Sequence, residues 1–516
     1  MTLSDGFTGP DLCRLQAHEI IAMLRAGEIS PRDCLDAAFA RIEAVEPVVN
    51  AMPTICPERA YEAGERLDRQ HSDIAGGLAG LPIAIKDLTM VAGVRTTFGT
   101  EGHADFVPET SDPLVTRLES RGGIVAGKTN TPEMGAGGNT FNDVFGPTLN
   151  PWDTRLNAGG SSGGAATSLA TGEVWLSHGS DHGGSLRTPA CYCGVVGLRP
   201  SPGRAASAGP AGFTTEGVQG PMARSVRDCA IFLDAMAGFA PALPISYPGP
   251  RTGRFEDAVI EASPKLKIAF SADFNGMAKV DPEVLAHLRG VLGKIAGHGA
   301  IIEETCPDLS DLERTYYTLR GFDMAIAARR TPDNISRHFK QTLADNMAFG
   351  QRMTVDDIAD AALDRTVIFN NLAVFLETFD VLACPTVGCM PHPQTEEWVR
   401  EIDGHRLDGY MDWLRFAFLA TTTGLPAISV PVGPGPNGLP IGIQLIGRPR
   451  GEAELLAAAQ VFESVVGGPM VPIDPMVRVW HPAGQNPATA HPSPSIRRQS
   501  NPARQCDVPA GARQET

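Results

Sequence analysis

The amino-acid sequence predicts an α/β fold, in which a large mixed β-sheet is covered by helices on both faces. Short apolar runs bounded by glycine and proline recur along the chain, and such runs are typical of buried strands. Amphipathic stretches of helical period lie between them. Alternation of this kind favours a sheet with helices packed on both of its faces.

The apolar runs give the predicted strands, at residues 81–89, 122–130, 172–181, 265–273, 379–387, 425–433 and 439–447. Helices are predicted after Ser30 and over residues 281–299 and 451–466. The first of these begins with Ser30-Pro31-Arg32-Asp33. This tetrapeptide supplies an N-cap serine, a proline at the first helical position and an acid three residues after the cap.

Composition and charge exclude several classes of function. The 516 residues include 43 basic and 59 acidic side chains, a formal charge of -16 that disfavours binding to nucleic acid. No apolar run approaches the ~18 residues of a membrane span, and the N-terminus lacks the features of a secretory signal. We therefore expect a soluble cytoplasmic protein that binds neither nucleic acid nor a membrane.

Ten cysteines are scattered along the chain without paired Cys-x-x-Cys motifs, so no zinc site is predicted. Cys191 and Cys193 flank Tyr192 at a spacing that alternates across a strand, and we expect them to serve packing rather than chemistry.

The stretch NAGGSSGGAATSLATG, residues 157–172, is rich in glycine and serine. It runs directly into a small-residue helix and an apolar strand, which argues against a flexible linker. A P-loop needs a lysine and a hydroxyl residue after its last glycine, but Ala165 follows Gly164. The dinucleotide-binding pattern fails because Ser161 stands where it needs a glycine. A catalytic role remains.

A second serine supports that interpretation. Ser185 lies in GSDHGGSLRTPA, directly after Gly183 and Gly184, and such glycines let backbone amides approach an oxyanion closely. Ser185 is thus a candidate nucleophile that needs a base. A glycine-rich turn with an incidental serine is the alternative.

Two kinds of base are available. His178 and His182 are near in sequence, but His182 is poorly placed to turn back onto Ser185 within a tight glycine turn. Lys86 ends an apolar run, where desolvation favours the neutral amine that can act as a base. Lys86 could instead form an ion pair with Asp87, and spacing alone leaves the two interpretations open.

These segments, taken together, resemble the amidase signature family of serine hydrolases. The matching motifs, which cover nearly all of residues 10–465, are LPIAIKD, GKTNTPE, FGPTLNPWD, NAGGSSGGAA, GSDHGGSLRTPA, GVVGLRPSPGR, GPMARSVRD, TTTGLPAISVPVG and LPIGIQLIG. The resemblance implies the amidase signature fold and a Ser–cisSer–Lys triad. Ser185 would be the nucleophile, Ser161 the bridging residue after a non-proline cis peptide bond, and Lys86 the general base.

The resemblance also implies an oxyanion hole and supporting groups, and it implies no metal or organic cofactor. The amides of His182, Gly183, Gly184 and Ser185 would form the hole. Supporting roles fall to Ser162, Asp181 and Arg187. The chain departs from the family pattern at His182, where a small or hydroxyl residue is common, and at Arg199, where lysine is common.

The predicted organisation is a single amidase domain over residues 1–480 and a disordered tail over 481–516, which has no aromatic residue. Within the domain we expect N-terminal helices at about 10–70, a catalytic core at about 75–235 and a C-terminal part at about 265–470.

The expected function is hydrolysis of the C–N bond of a small or medium carboxylic amide through a seryl acyl-enzyme, without partner chains; the resemblance suggests a homodimer. The alternative is the glutaminase subunit of a glutamyl-tRNA amidotransferase. Residues 314–341 lack the tyrosine- and glycine-rich pattern of that glutaminase, and a scaffold without activity would not need the intact triad. The substrate pocket is predicted at Met134, Gly135 and Gly137, with segments 316–339 and 406–418.

Overall fold

One mixed sheet organises the computed structural model of the chain, which describes residues 7–70, 77–205, 212–241, 243–249 and 253–479. Thirteen strands are found in these residues: β1 (Thr54–Ile55), β2 (Pro82–Lys86), β3 (Ile124–Thr129), β4 (Leu176–Asp181), β5 (Val196–Arg199), β6 (Val218–Ala223), β7 (Lys267–Phe270), β8 (Ile301–Glu304), β9 (Val381–Pro385), β10 (Glu401–Ile402), β11 (His405–Arg406), β12 (Ala427–Pro434) and β13 (Pro440–Ile446).

Sixteen α-helices are found in the same residues. They are α1 (Asp11–Arg14), α2 (Ala17–Ala26), α3 (Pro31–Val49), α4 (Pro57–Gln70), α5 (Pro113–Ser120), α6 (Gly163–Ala170), α7 (Arg187–Cys193), α8 (Val226–Met236), α9 (Phe255–Ile260), α10 (Pro282–Gly297), α11 (Leu312–Arg330), α12 (Asp333–Ser336), α13 (Gln341–Gln351), α14 (Val355–Thr378), α15 (Phe418–Thr423) and α16 (Glu452–Val466). Turns of 3-10 helix lie at Glu101–His103, Glu133–Gly135 and Asp412–Ala417.

Eleven of the strands pair in the order β1-β3-β2-β4-β6-β5-β12-β13-β9-β7-β8, and β10 pairs with β11 alone. Strand β2 runs parallel to β3 and β4, and β7 runs parallel to β8 and β9. The strands between these two parallel groups are antiparallel to their neighbours. The carboxyl ends of β2, β3 and β4 therefore meet at one edge of the sheet, which is where parallel α/β sheets commonly carry their functional groups.

Alternate residues of the strands enter different cores, since successive side chains of a strand point to opposite faces. Ile83 and Ile85 of β2 lie in a core that includes side chains of α2, α8, α10 and α16. Ala84, between them, lies in a core with side chains of α6 and α7. This arrangement confirms the predicted α/β class, with helices on both faces of a mixed sheet.

The predicted elements are found, with one correction. All seven apolar runs contain strands, and the three predicted helices are α3, α10 and α16. Ser30 caps α3 as expected, because its hydroxyl accepts a hydrogen bond from the Asp33 amide at 3.2 Å. The strand-like spacing at Cys191 and Cys193 was misleading: both residues belong to α7, where a proline is tolerated in the first turn. Both side chains are buried, as expected for packing.

The division of the chain remains a prediction. The described residues up to Arg478 group into one unit, whereas the predicted tail at 481–516 lies outside the described residues. Among the helices that the structure describes, none combines the length and the apolar character that a membrane span would need.

Candidate active site

Three separate elements bring the predicted triad residues to the same edge of the sheet. Lys86 is the last residue of β2, and Ser161 lies two residues before the first residue of α6. Ser185 lies in the loop between β4 and α7. Because β2 and β4 are parallel neighbours, their carboxyl ends and the loops that follow them are close together.

Lys86 is enclosed by hydroxyl groups. Its Nζ donates to the Oγ atoms of Ser161 at 2.7 Å, Ser162 at 2.9 Å and Ser180 at 3.1 Å. The side chain is fully buried. The alternative partner, Asp87, instead forms an ion pair with Lys128 at 3.0 Å. Lys86 therefore has hydroxyl partners and no carboxylate in contact among the described residues.

Burial changes the protonation of this lysine. It lowers the pKa of Lys86 to about 7, although the negative charge of Asp181 acts in the opposite direction. Desolvation penalises the ammonium form, and no ion pair with a described residue offsets that penalty. A large fraction of Lys86 is thus a neutral amine near pH 7, hydrogen-bonded to the Ser161 hydroxyl.

The two histidines considered as bases do not reach the serines in the described part of the chain. The ring of His178 contacts the Lys86 backbone amide at 3.4 Å and Gln219 at 2.6 Å, and burial lowers its pKa to about 3. His182 Nε2 contacts Asp323 Oδ2 at 3.0 Å. Lysine is therefore the basic group next to the serine hydroxyls.

Ser185 differs from its two partners in accessibility. Lys86 and Ser161 are buried, whereas Ser185 is partly exposed. The Ser162 amide donates to the Ser185 carbonyl oxygen at 3.2 Å, which ties the two loops together. No hydrogen bond joins the Oγ atoms of Ser161 and Ser185 in the described structure, and catalytic hydrogen bonds often tighten only when substrate binds. The peptide bond between Gly160 and Ser161 is cis.

Asp181 holds the loop that carries Ser185. Its carboxylate accepts hydrogen bonds from the amides of Gly184 at 3.0 Å and Leu186 at 3.1 Å. Arg187 donates to it through Nη2 at 2.8 Å and through Nε at 3.0 Å. Burial alone would raise the pKa of Asp181, but Arg187, Arg199 and the amide hydrogen bonds hold it well below its ordinary range. Asp181 is therefore a permanent anion that fixes the residues on both sides of Ser185.

The backbone amides of the loop fall into two groups. The Gly184 amide is already bonded to Asp181. The amides of Gly183 and Ser185 donate no hydrogen bond to another described residue. A side chain at position 183 would collide with the Tyr316 hydroxyl and lie 2.9 Å from the Met411 methyl, and Gly184 has a φ of +96°. Glycine is thus required at both positions for this loop to form.

The predicted pocket residues lie beside the same site. A Cβ at Gly135 would be 3.6 Å from Ser161 Oγ, and one at Gly137 would be 3.2 Å from Lys340 Nζ. Met134 is half-buried and packs in an apolar cluster with Met324 of α11, Phe339 and residues of α13. Of the three predicted pocket residues, Gly135 is thus the one that lies beside Ser161, while Met134 packs among apolar side chains and Gly137 lies near a charged group.

Sequence reasoning missed several groups. Ser180 is the third hydroxyl on Lys86. Strand alternation gave no signal for it, because the register of β2 and β4 puts Ser180 on the face opposite to that of Lys86. Arg199 donates to the Asp181 backbone oxygen at 2.7 Å, and Arg187 also donates to Gln444 of β13 at 2.5 Å. Residues so far apart in sequence give no local signal of their pairing.

Serine hydroxyls beside a buried neutral lysine, close to backbone amides that are free to donate, are the parts that an acyl-transfer hydrolase needs. Residues 33–456 match the family model described as Amidase, and the chain belongs to the amidase signature family. It is a hydrolase of C–N bonds.

Relatives of different function match equally well. The chain is 35% identical to a glutamyl-tRNA(Gln) amidotransferase subunit of Moorella thermoacetica, over 88% of this chain and 97% of that one. It is also 35% identical to an acylamidase of Rhodococcus erythropolis, over 89% and 97%. Identity alone does not separate the two activities.

Solved structures share the fold. A bacterial aryl acylamidase of the amidase signature family superimposes with a TM-score of 0.80 at 27% identity, covering 88% of this chain and 96% of that one. A 6-aminohexanoate cyclic dimer hydrolase in complex with its substrate gives 0.78 at 28% identity, covering 89% and 98%.

Proposed function

We propose that the protein is a free-standing amidase, which hydrolyses a small or medium carboxylic amide to an acid and ammonia or an amine. One observation carries the proposal: the Nζ atom of the fully buried Lys86 lies 2.7 Å from Ser161 Oγ and has no carboxylate partner among the described residues. A neutral lysine can accept a proton from that hydroxyl, which an ion-paired lysine cannot do.

In the proposed reaction, neutral Lys86 takes the proton of Ser161, and Ser161 takes the proton of Ser185. The Ser185 oxygen forms a bond to the amide carbonyl carbon. The amides of Gly183 and Ser185 are free to donate to the oxyanion, and a good donor contributes about 3–4 kcal/mol to such a transition state. The predicted oxyanion hole also includes the amides of His182 and Gly184, but the Gly184 amide already donates a hydrogen bond to Asp181.

The intermediate collapses when the C–N bond breaks and the proton held by Lys86 passes back through Ser161 to the leaving nitrogen. Water then attacks the carbonyl carbon of the seryl ester and gives one proton to Lys86 by the same route. When the bond between that carbon and the Ser185 oxygen breaks, the proton returns from Lys86 through Ser161 to Ser185, and the acid is released. Ser162, Asp181 and Arg187 act as supports: Ser162 bonds Lys86, while Asp181 and Arg187 fix the loop.

The test is ammonia release from a panel of primary amides by the parent protein and by Ser185→Ala. We expect turnover by the parent, loss of turnover in the variant, and an acyl adduct on the peptide that contains Ser185 when the reaction is quenched early. Equal turnover by both proteins would exclude Ser185 as the nucleophile.

The second candidate is the glutaminase subunit of a glutamyl-tRNA amidotransferase, which the name of the Moorella thermoacetica relative favours. It predicts that the purified chain alone releases little ammonia from glutamine and that copurified partner chains raise this rate. A free-standing amidase predicts activity of the chain alone, as a monomer or as the expected homodimer, and size-exclusion chromatography of the active protein distinguishes these states.

A further inference from the structure

One face of helix α11 contacts the loop that carries Ser185. The ring of Tyr316 lies edge-on to the His182 ring, with centroids 6.4 Å apart, and its hydroxyl lies against Gly183. Asp323, farther along the helix, is bonded to His182 Nε2 at 3.0 Å. Since residues four and seven positions apart share a helix face, Arg320 lies between these two contacts on the same side.

Arg320 is a buried cation without an anionic partner among the described residues. It is 6% exposed, and its Nε donates to the amide oxygen of Asn346 at 3.3 Å while Nη2 donates to the Tyr410 hydroxyl. No carboxylate of a described residue forms an ion pair with it, and Asp323, the nearest acid on this helix face, is bonded to His182. An isolated buried charge is unfavourable, and such charges are normally paired.

The other cations around the site are either paired with a carboxylate or able to lose their charge. Arg187 is paired with Asp181 at 2.8 Å, and Lys128 with Asp87 at 3.0 Å. Lys340, beside the pocket residue Gly137, is paired with Glu397 at 2.9 Å. Lys86 can become neutral by losing its proton, whereas an arginine stays charged in proteins. In the part of the chain that the structure describes, Arg320 is thus a buried positive charge without a carboxylate partner, on the helix that contacts the Ser185 loop.

The residue that follows Tyr410 is close to the reacting loop. Tyr410 directly precedes Met411, whose methyl would lie 2.9 Å from a Cβ at Gly183. Met324, one helical turn after Arg320 on α11, belongs to the apolar cluster that also includes the half-buried side chains of Met134 and Phe339. A cation and a phenol hydroxyl at one end of an apolar surface suit a ligand that has a carboxylate at the end of a short carbon chain.

We propose that Arg320 and Tyr410 bind a carboxylate of the substrate, so that the protein acts on amides bearing an anionic group a few carbons from the scissile bond. This inference rests on the proposed amidase function and narrows its substrate class. Arg320 is a specificity-determining residue in this account, and it takes no part in bond making or breaking.

The test compares three acidic amides, succinamic, glutaramic and adipamic acid, with the neutral amides butanamide, pentanamide and hexanamide. We expect the parent protein to have a higher kcat/KM for one acidic amide than for its neutral counterpart. Arg320→Gln should lower kcat/KM for that acidic amide on the order of 10- to 100-fold, mainly through KM, as expected for a lost charged hydrogen bond. The ratio of its kcat/KM for the acidic amide to its kcat/KM for the neutral counterpart should therefore fall well below the ratio of the parent.

Arg314→Gln is the matched control, because Arg314 lies on the same helix but is half exposed and paired with Asp311 and Asp364. It should leave both substrate groups unchanged. Tyr410→Phe is a second variant in case Arg320→Gln does not fold, and it should lower kcat/KM for the acidic amide alone, several-fold.

The outcomes separate this inference from the proposed function. If Ser185→Ala abolishes turnover while Arg320→Gln changes acidic and neutral amides equally, the amidase stands and the carboxylate subsite is overturned. If no amide is hydrolysed, the proposed function fails, and calorimetric binding of glutarate decides the subsite separately. Binding that is lost in Arg320→Gln and kept in Arg314→Gln supports the subsite, and equal binding or no binding in all three proteins overturns it.

Discussion

Two buried lysines on neighbouring strands differ in their partners, because one contacts a carboxylate and the other contacts only hydroxyl groups. Lys86 ends β2, and Lys128 lies near the end of the parallel strand β3, both without exposed surface. Lys128 is the register partner of Ile85, one residue before Lys86, so the two side chains leave the sheet on opposite faces. Lys128 meets the Asp87 carboxylate and the Thr96 hydroxyl, whereas Lys86 meets three serine hydroxyls.

The difference shows what converts a structural lysine into a base. Burial lowers the pKa of both lysines, but the Asp87 carboxylate opposes this at Lys128 through a direct ion pair. For Lys86 the opposing charge is Asp181, which is already engaged by Arg187 and Arg199. The same residue type in the same sheet therefore stabilises the fold at one position and can move a proton at the other.

The largest expected effect comes from Lys86→Met. Removing the base should lower kcat for amide hydrolysis by at least about 10³-fold, because nucleophile and base act as a unit. The unfolding free energy of this variant should fall less than that of Lys128→Met, because the change leaves no buried carboxylate without its cation. Urea denaturation and ammonia assays check both values, and retained activity would contradict the role of Lys86.

The same substitution at Lys128 should have the reverse effect, in that it lowers stability and leaves activity nearly unchanged. Lys128→Met leaves the Asp87 carboxylate buried without its cation, which should cost about 3–5 kcal/mol of unfolding free energy. The specific activity of the folded fraction should stay within about threefold of the parent. A double variant, Lys128→Met with Asp87→Asn, should recover part of the lost stability. If Lys128→Met lost activity and kept stability, the comparison would fail.

The pH profile should follow Lys86. Its folded pKa of about 7 lies below the ordinary value of 10.5, so protonation on acidification removes the base. We expect kcat/KM to fall about tenfold per pH unit below pH 7 and to level off above it. Asp181 stays ionised over this range and adds no further limb to the pH profile of kcat/KM, because its pKa lies well below the ordinary value. An acid limb centred below pH 5 would point to a carboxylate instead.

The smallest expected effects come from removing one hydroxyl partner of each lysine. Ser180→Ala should lower kcat/KM about threefold to tenfold, because a net hydrogen bond of about 1 kcal/mol that positions Nζ is lost. The matched change Thr96→Val, next to Lys128, should reduce stability by about 1 kcal/mol without changing kcat/KM. Steady-state kinetics of both variants at pH 8 make the comparison, and equal kinetic losses would mean that neither hydroxyl acts specifically.

Local patterns predicted much of the fold. The apolar runs at residues 81–89 and 439–447 contain β2 and β13, and the Ser30 cap begins α3. The failure at Cys191 and Cys193 is instructive, because alternation over three residues fits a strand and a short buried helix equally well. Short segments are decided by what packs around them.

The sequence indicated which residues form the site but not how they contact one another. Motifs indicated Lys86, Ser161 and Ser185, but the choice between an ion pair with Asp87 and contact with the serines required the position of Lys128, which is far along the chain. Likewise, GGS indicated free amides, but the bond from Gly184 to Asp181 depends on how the loop folds back on β4. Contacts of this kind are set by tertiary structure and have no period or composition to reveal them.

The most direct test of the account is the protonation of Lys86 itself. The 13Cε resonance of Lys86 can be followed by NMR as a function of pH and assigned by its absence from Lys86→Met. The account predicts a midpoint near pH 7 and a neutral amine above it, matching the acid limb of kcat/KM. A lysine that stays protonated above pH 9 while the enzyme is active would contradict the role of Lys86 as the general base.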